Sequence, residues 1–160
     1  MKFTLFLKGL PVMAALIATT SLTACDALLG KEVARLPLNA VSTPEREVVK
    51  EATLTLQKDD VITFWSEMDM AYHGQAPLRF QVQVLQNAKP FQQLEFDPTE
   101  KNVSLKEVRT DVNGSINWSF TGKNATLTIP QTASYTFKAR LVAANNPTLN
   151  LRKAHLVLKK

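Results

Sequence analysis

Cysteine is nearly absent: Cys25 is the only one in 160 residues. One thiol cannot form an internal disulfide, a Cys-x-x-Cys redox pair or a multi-cysteine metal site, so the folded part must be held by packing. Histidine is almost as scarce, with His73 and His155 far apart in the chain. Glycine occurs five times and never as a phosphate-cradling loop, and neither Gly-x-Ser-x-Gly nor His-Glu-x-x-His is present. No catalytic set and no metal-ligand set is assigned, and the chain is read as a non-enzyme. It also lacks a basic stripe. The formal charge of +5 is spread out, with Arg152-Lys153 and Lys159-Lys160 as its densest points, which argues against a nucleic-acid partner. At 45% hydrophobic and 21% charged, the composition is that of a globular domain rather than a disordered or multi-span membrane chain.

The one cysteine has a distinctive setting. Lys2 and Lys8 form a basic start, and Gly9 to Leu22 is apolar or small apart from Thr19, Thr20 and Ser21. This is the pattern of a secretory signal, too short for a membrane span. Leu22-Thr23-Ala24-Cys25, which closes it, resembles a bacterial lipobox. The resemblance implies cleavage before Cys25, a diacylglyceryl group on its thiol and an acyl chain on its amine, with no other cofactor. Two or three acyl chains hold a protein on a membrane essentially permanently, at about 0.8 kcal/mol per buried CH2. Loss of Lys2 and Lys8 lowers the formal charge by two. Asp26 resembles the residue that keeps enterobacterial lipoproteins in the inner membrane. The expected location is the periplasmic side, inner membrane in preference to outer.

The expected organisation is residues 1–24 as signal peptide, 25–45 as lipidated cysteine and tether, and 46–160 as the folded domain. Ala27 to about Ser42 shows no sustained period, and Leu36-Pro37-Leu38 interrupts any helix. Ser42-Thr43-Pro44-Glu45 reads as a helix start, with a capping hydroxyl, a first-turn proline and a glutamate three residues on. Alternatively Glu47 to Gln57 is already a strand, established by Thr53.

Beyond residue 50 the period is two. Ile62, Phe64, Met68, Met70 and Tyr72 share one face of a strand. Leu78, Phe80, Val82 and Val84 form the apolar face of the next, followed by Ile116, Trp118 and Phe120, then Tyr135, Phe137, Ala139 and Leu141, then Ala154, Leu156 and Leu158. Turn signals lie between them at Lys58-Asp59-Asp60, His73-Gly74-Gln75, Asn87 to Pro90, Asp97-Pro98, Asn113-Gly114, Thr121 to Asn124 and Asn145-Asn146-Pro147. Asn113-Gly114 is a two-residue hairpin signal. The pattern predicts an all-β fold, a two-sheet antiparallel β-sandwich of eight or nine strands, jelly-roll-like in preference to immunoglobulin-like. Its cadence loosely resembles the sandwich modules of carbohydrate-binding and Golgi-dynamics type, without a motif that transfers residues.

Polar chemistry collects at Trp65, Glu67 and Asp69. Alternate residues of a strand project from one face about 7 Å apart, so an aromatic ring would stand beside two carboxylates. That surface suits a sugar ring or a cation, and His73 lies close enough in sequence to add a ligand. The competing reading is a covered tryptophan above a wetted strand. Trp118, between Ile116 and Phe120, is read as core. The function expected first is a lipid-anchored envelope scaffold that binds a protein partner, similar in size and layout to small sandwich lipoproteins of secretion systems. The alternative is a glycan- or metal-binding module built on Trp65, Glu67, Asp69 and His73, and an envelope hydrolase ranks last.

Overall fold

The computed structural model describes residues 29–160, so Cys25 and Asp26 lie outside the described residues. Nine strands make up the fold: β1 (Glu32–Pro37), β2 (Lys50–Leu56), β3 (Val61–His73), β4 (Leu78–Gln86), β5 (Lys89–Phe96), β6 (Val103–Val112), β7 (Ser115–Thr128), β8 (Ala133–Ala143) and β9 (Asn150–Lys159). They form two antiparallel sheets, in the orders β1-β9-β3-β7-β6 and β2-β8-β4-β5. The chain passes from one sheet to the other at every connection except the β4–β5 and β6–β7 hairpins. Without β6, the order is that of a jelly roll, which buries one face of each sheet against the other. β6 is an extra strand on one edge.

The faces read from the alternation are the faces that pack. Phe64 of β3 meets Phe137 of β8 and Phe96 of β5, with ring centroids 6.0 and 6.1 Å apart, so one ring joins both sheets. Such edge or tilted pairs add about 0.5–1.5 kcal/mol each beyond burial. Met68, Met70, Phe80, Tyr135, Leu141, Leu156 and Leu158 fill the space around them.

Three expectations need correction. The stretch read as tether becomes structure at Glu32: β1 pairs with β9, and Leu36 and Leu38 are buried in the core. Those leucines straddle Pro37, and a proline is tolerated because β1 is an edge strand. The backbone is fixed further by Leu38 N–H to Ala154 O at 2.7 Å and by Ala154 N–H to Asn39 Oδ1 at 2.9 Å. Second, Ser42 to Glu45 starts no helix. The Ser42 hydroxyl accepts from Val48 N–H and Thr43 Oγ1 accepts from Arg46 N–H, but these close turns that lead into β2. Val48 and Val49 alone supply no helical stripe. Third, Thr121 to Asn124 is the interior of β7, with a bulge where Trp65 faces Lys123 and Phe64 faces Ala125. The bulge turns Asn124 to a separate task.

Asn113-Gly114 joins β6 to β7 with φ of 51° and 79°, the left-handed pair a two-residue hairpin requires. Asn87-Ala88 repeats that geometry between β4 and β5, with φ of 48° and 65°.

Candidate functional site

β3 is the middle strand of the five-stranded sheet, and it presents Trp65, Glu67 and Asp69 on the outer face. Across β9 they oppose Val157, His155 and Lys153. The stripe is therefore real, but its members are engaged with the protein itself. Trp65 is 2% exposed beside buried Val157. Its indole N–H donates to Thr63 Oγ1 at 2.9 Å, and Lys159 Nζ lies 4.5 Å from its ring centroid. The ring offers no open face for a sugar.

The carboxylates are held by arginines. Arg35 of β1 grips Glu67 through both nitrogens, at 2.6 and 3.0 Å, and also holds Glu32 at 2.7 and 2.9 Å. Its hydrogen bond keeps the Glu67 carboxyl below the ordinary glutamate range, against the opposing effect of partial burial. Arg35 Nη1 also lies 3.2 Å from His155 Nδ1. Burial first, and then the Arg35 charge, lower the His155 pKa, so the neutral ring with Nδ1 as acceptor fits the cluster. Asp69 takes two bonds from Arg152, at 2.9 and 2.6 Å, where a bulge in β9 brings the guanidinium over it. His73 is not part of this group. Its backbone is tied at the end of β3 to Thr148 and Asn146, and its ring lies against Gly114. Among the described residues no cluster of three or more histidine or acidic side chains is arranged to hold a metal.

Two other surfaces are open. The outer face of the four-stranded sheet forms a groove of about 640 Å3. Gln81 and Gln83 of β4, Gln93 and Glu95 of β5, and Lys138 and Arg140 of β8 line it. Gln81 donates to Glu95 at 2.7 Å and accepts from Arg140 at 2.8 Å, so part of the lining is pre-oriented. These polar residues were visible only as the wet half of each alternation.

The second surface is β6. None of its ten residues is buried, and Val103, Leu105, Val108 and Val112 are all exposed large hydrophobics. The charges of β6 nearest the fold are drawn back onto it. Glu107 Oε1 accepts from Lys101 Nζ at 3.1 Å and from the Trp118 indole N–H at 2.8 Å, which lowers the carboxyl's pKa, Lys101 first. Arg109 lies over the Trp118 ring at 4.6 Å. Trp118 is thus half-buried, a platform between the core and the edge strand rather than core alone. Gly122 leaves the space that the stem of Lys101 fills.

Compared with known families and with curated proteins, the chain matches no family model and no curated protein.

Proposed function

We propose that this protein is a lipid-anchored, non-enzymatic accessory of the bacterial cell envelope that docks a protein partner along the β6 edge. The observation that carries this reading is an edge strand of ten residues with no buried member and with Val108 and Val112 61% and 65% exposed. Such an edge offers a row of unpaired N–H and C=O groups to an added strand. β1 and β5, two of the other edges, carry Pro37 and Pro90, which break that row. The lipobox ending at Cys25 supports a diacylglyceryl and N-acyl anchor, and Asp26 supports the periplasmic face of the inner membrane. With β1 starting at Glu32, the body would stand at most about 25 Å from the anchor.

Photo-crosslinking amino acids at Val108 and Thr110 of the membrane-bound chain should give protein adducts, and the same probe at Lys89 of the β4–β5 hairpin should not. Absence of adducts from every β6 position would refute the docking edge. Cys25→Ala should lose labelled palmitate, and retention of the label would refute the anchor.

The groove of the four-stranded sheet favours a second reading, a site for a glycan. Its amides and charged side chains match hydroxyl groups, although it lacks an aromatic platform. A glycan at about 100 times its dissociation constant would stabilise the protein by about 2.7 kcal/mol. Gln83→Ala should remove that shift without altering the melting of the free protein.

A further inference from the structure

We infer that the occupant of the β6 edge is a second copy of this chain, added antiparallel about a two-fold axis at Thr110. This inference rests on the docking reading above and names the partner. In a two-fold antiparallel pair, residues equidistant from the axis oppose one another on the same face of the joined sheet. Pairing β6 with β7 places Val108, Thr110 and Val112 opposite Ser119, Asn117 and Ser115 on the outer face. Arg109 and Asp111 oppose Trp118 and Ile116 on the inner face. An axis at Thr110 therefore sets Arg109 against Asp111 of the other copy, twice, and Val108 against Val112, twice. Opposite charges and β-branched pairs are both favourable when directly opposed.

Neighbouring registers on the same face pattern are worse. An axis at Arg109 opposes that arginine to itself and Glu107 to Asp111. An axis at Val108 opposes Glu107 to Arg109, but Glu107 is tied to three side chains, Lys101, Ser104 and Trp118. Among the described residues, Asp111 accepts only from Gly114 N–H, and Arg109 is stacked on Trp118 without a hydrogen bond. The Val108 register also runs into the irregularity between Ser104 and Lys106. The Thr110 register uses the regular half of the strand and ends at the Asn113-Gly114 turn. Val108, Val112 and the stretch of edge between them, which has no partner among the described residues, then acquire one in a single step, and the two five-stranded sheets become continuous.

The full chain in bacterial membranes provides the test, with single cysteines introduced into β6 and the unsubstituted chain, carrying Cys25 alone, as background. Thr110→Cys should oxidise to a covalent dimer, because directly opposed residues lie within disulfide reach. Val108→Cys alone should not, since the two copies of that residue would be about 13 Å apart. Differently tagged Val108→Cys and Val112→Cys chains should crosslink when produced together. Arg109→Asp should suppress the Thr110→Cys dimer, and Arg109→Asp combined with Asp111→Arg should restore it. A dimer from Val108→Cys alone, or none from Thr110→Cys, overturns the register and the self-pairing. Photo-adducts at Val108 to a different protein would also overturn it while sparing the docking edge, and no adduct anywhere on β6 would overturn both.

Discussion

Arg35 and Glu67 form a two-pronged ion pair, at 2.6 and 3.0 Å, that spans from β1 to β3 across the intervening β9. The pair ties the edge strand to the sheet centre, with His155 beneath it on β9. Both neighbours respond to acid in the same sense. Glu67 has its pKa lowered, so its contribution is present above the ordinary value of 4.5 and is lost as pH falls through the folded value. His155 is also lowered, so the folded state favours the neutral ring, and stability is lost as pH falls from 6.5. The melting temperature should therefore begin to fall between pH 7 and 5. His155→Asn should flatten that upper part and leave the decline below pH 4.5. A wild-type melting temperature that is level from pH 7 to 5 would contradict the neutral imidazole. Arg35→Ala should cost about 1 kcal/mol, the value of a charged hydrogen-bonded pair reduced by exposure to solvent.

Trp65→Ala separates a structural tryptophan from a binding one. The ring is buried on the outer face against Val157 and beneath Lys159, so truncation should cost about 3–5 kcal/mol. Chemical denaturation measures that directly. A variant as stable as the parent would mean that the ring contributes little packing and would return Trp65 to the list of ligand-facing residues.

Ala88 invites the opposite change. It adopts φ of 65° in the β4–β5 turn, where an L-residue with a Cβ is disfavoured by roughly 1–2 kcal/mol. Ala88→Gly should raise stability by up to about 1 kcal/mol, the relief being partly offset by the greater freedom of glycine in the unfolded chain. Equilibrium unfolding of the two proteins gives the sign. No gain would mean that the turn relaxes around alanine without strain.

The legibility of the fold follows burial. β3, β4, β8 and β9 each bury one face and, apart from Trp65 and Val157, leave the other partly or fully exposed, and their alternation is written in Ile62-x-Phe64, Leu78-x-Phe80, Tyr135-x-Phe137 and Ala154-x-Leu156. β6 could not be read that way. With no buried face, Val103, Leu105, Val108 and Val112 obey no period, and only the Asn113-Gly114 turn after them announced a strand. β1 was hidden for another reason: Pro37 is a breaker signal wherever it falls, and only the pairing with β9 makes it an edge residue. The Trp65, Glu67 and Asp69 stripe was visible because strand geometry is local. That Arg35 and Arg152 would occupy its carboxylates was not visible, because both arrive from strands remote in sequence.

Asn124 offers the last test, since it couples the bulge in β7 to the base of the exposed edge. Its side-chain oxygen accepts from buried Ser66 Oγ at 2.6 Å, and its amide nitrogen donates to the carbonyls of Asp97, Pro98 and Glu100 at 3.1, 3.0 and 2.8 Å. One amide thus closes the β5–β6 connection, which carries Lys101, the residue that holds Glu107 of β6. Aspartate has nearly the same shape but cannot donate, so Asn124→Asp places a carboxylate against three carbonyl oxygens. Leaving buried polar groups unsatisfied costs about 1–3 kcal/mol each and more when charge is involved. Asn124→Asp should therefore destabilise the protein more than Asn124→Ala, and amide exchange should accelerate first at Asn102, whose N–H is bonded to Lys123 O at 2.8 Å. Because Lys101 is released with that connection, Glu107 loses its cationic partner and β6 should exchange faster while the four-stranded sheet keeps its protection. Uniform acceleration across both sheets would show that Asn124 supports the whole sandwich rather than the seating of its extra strand.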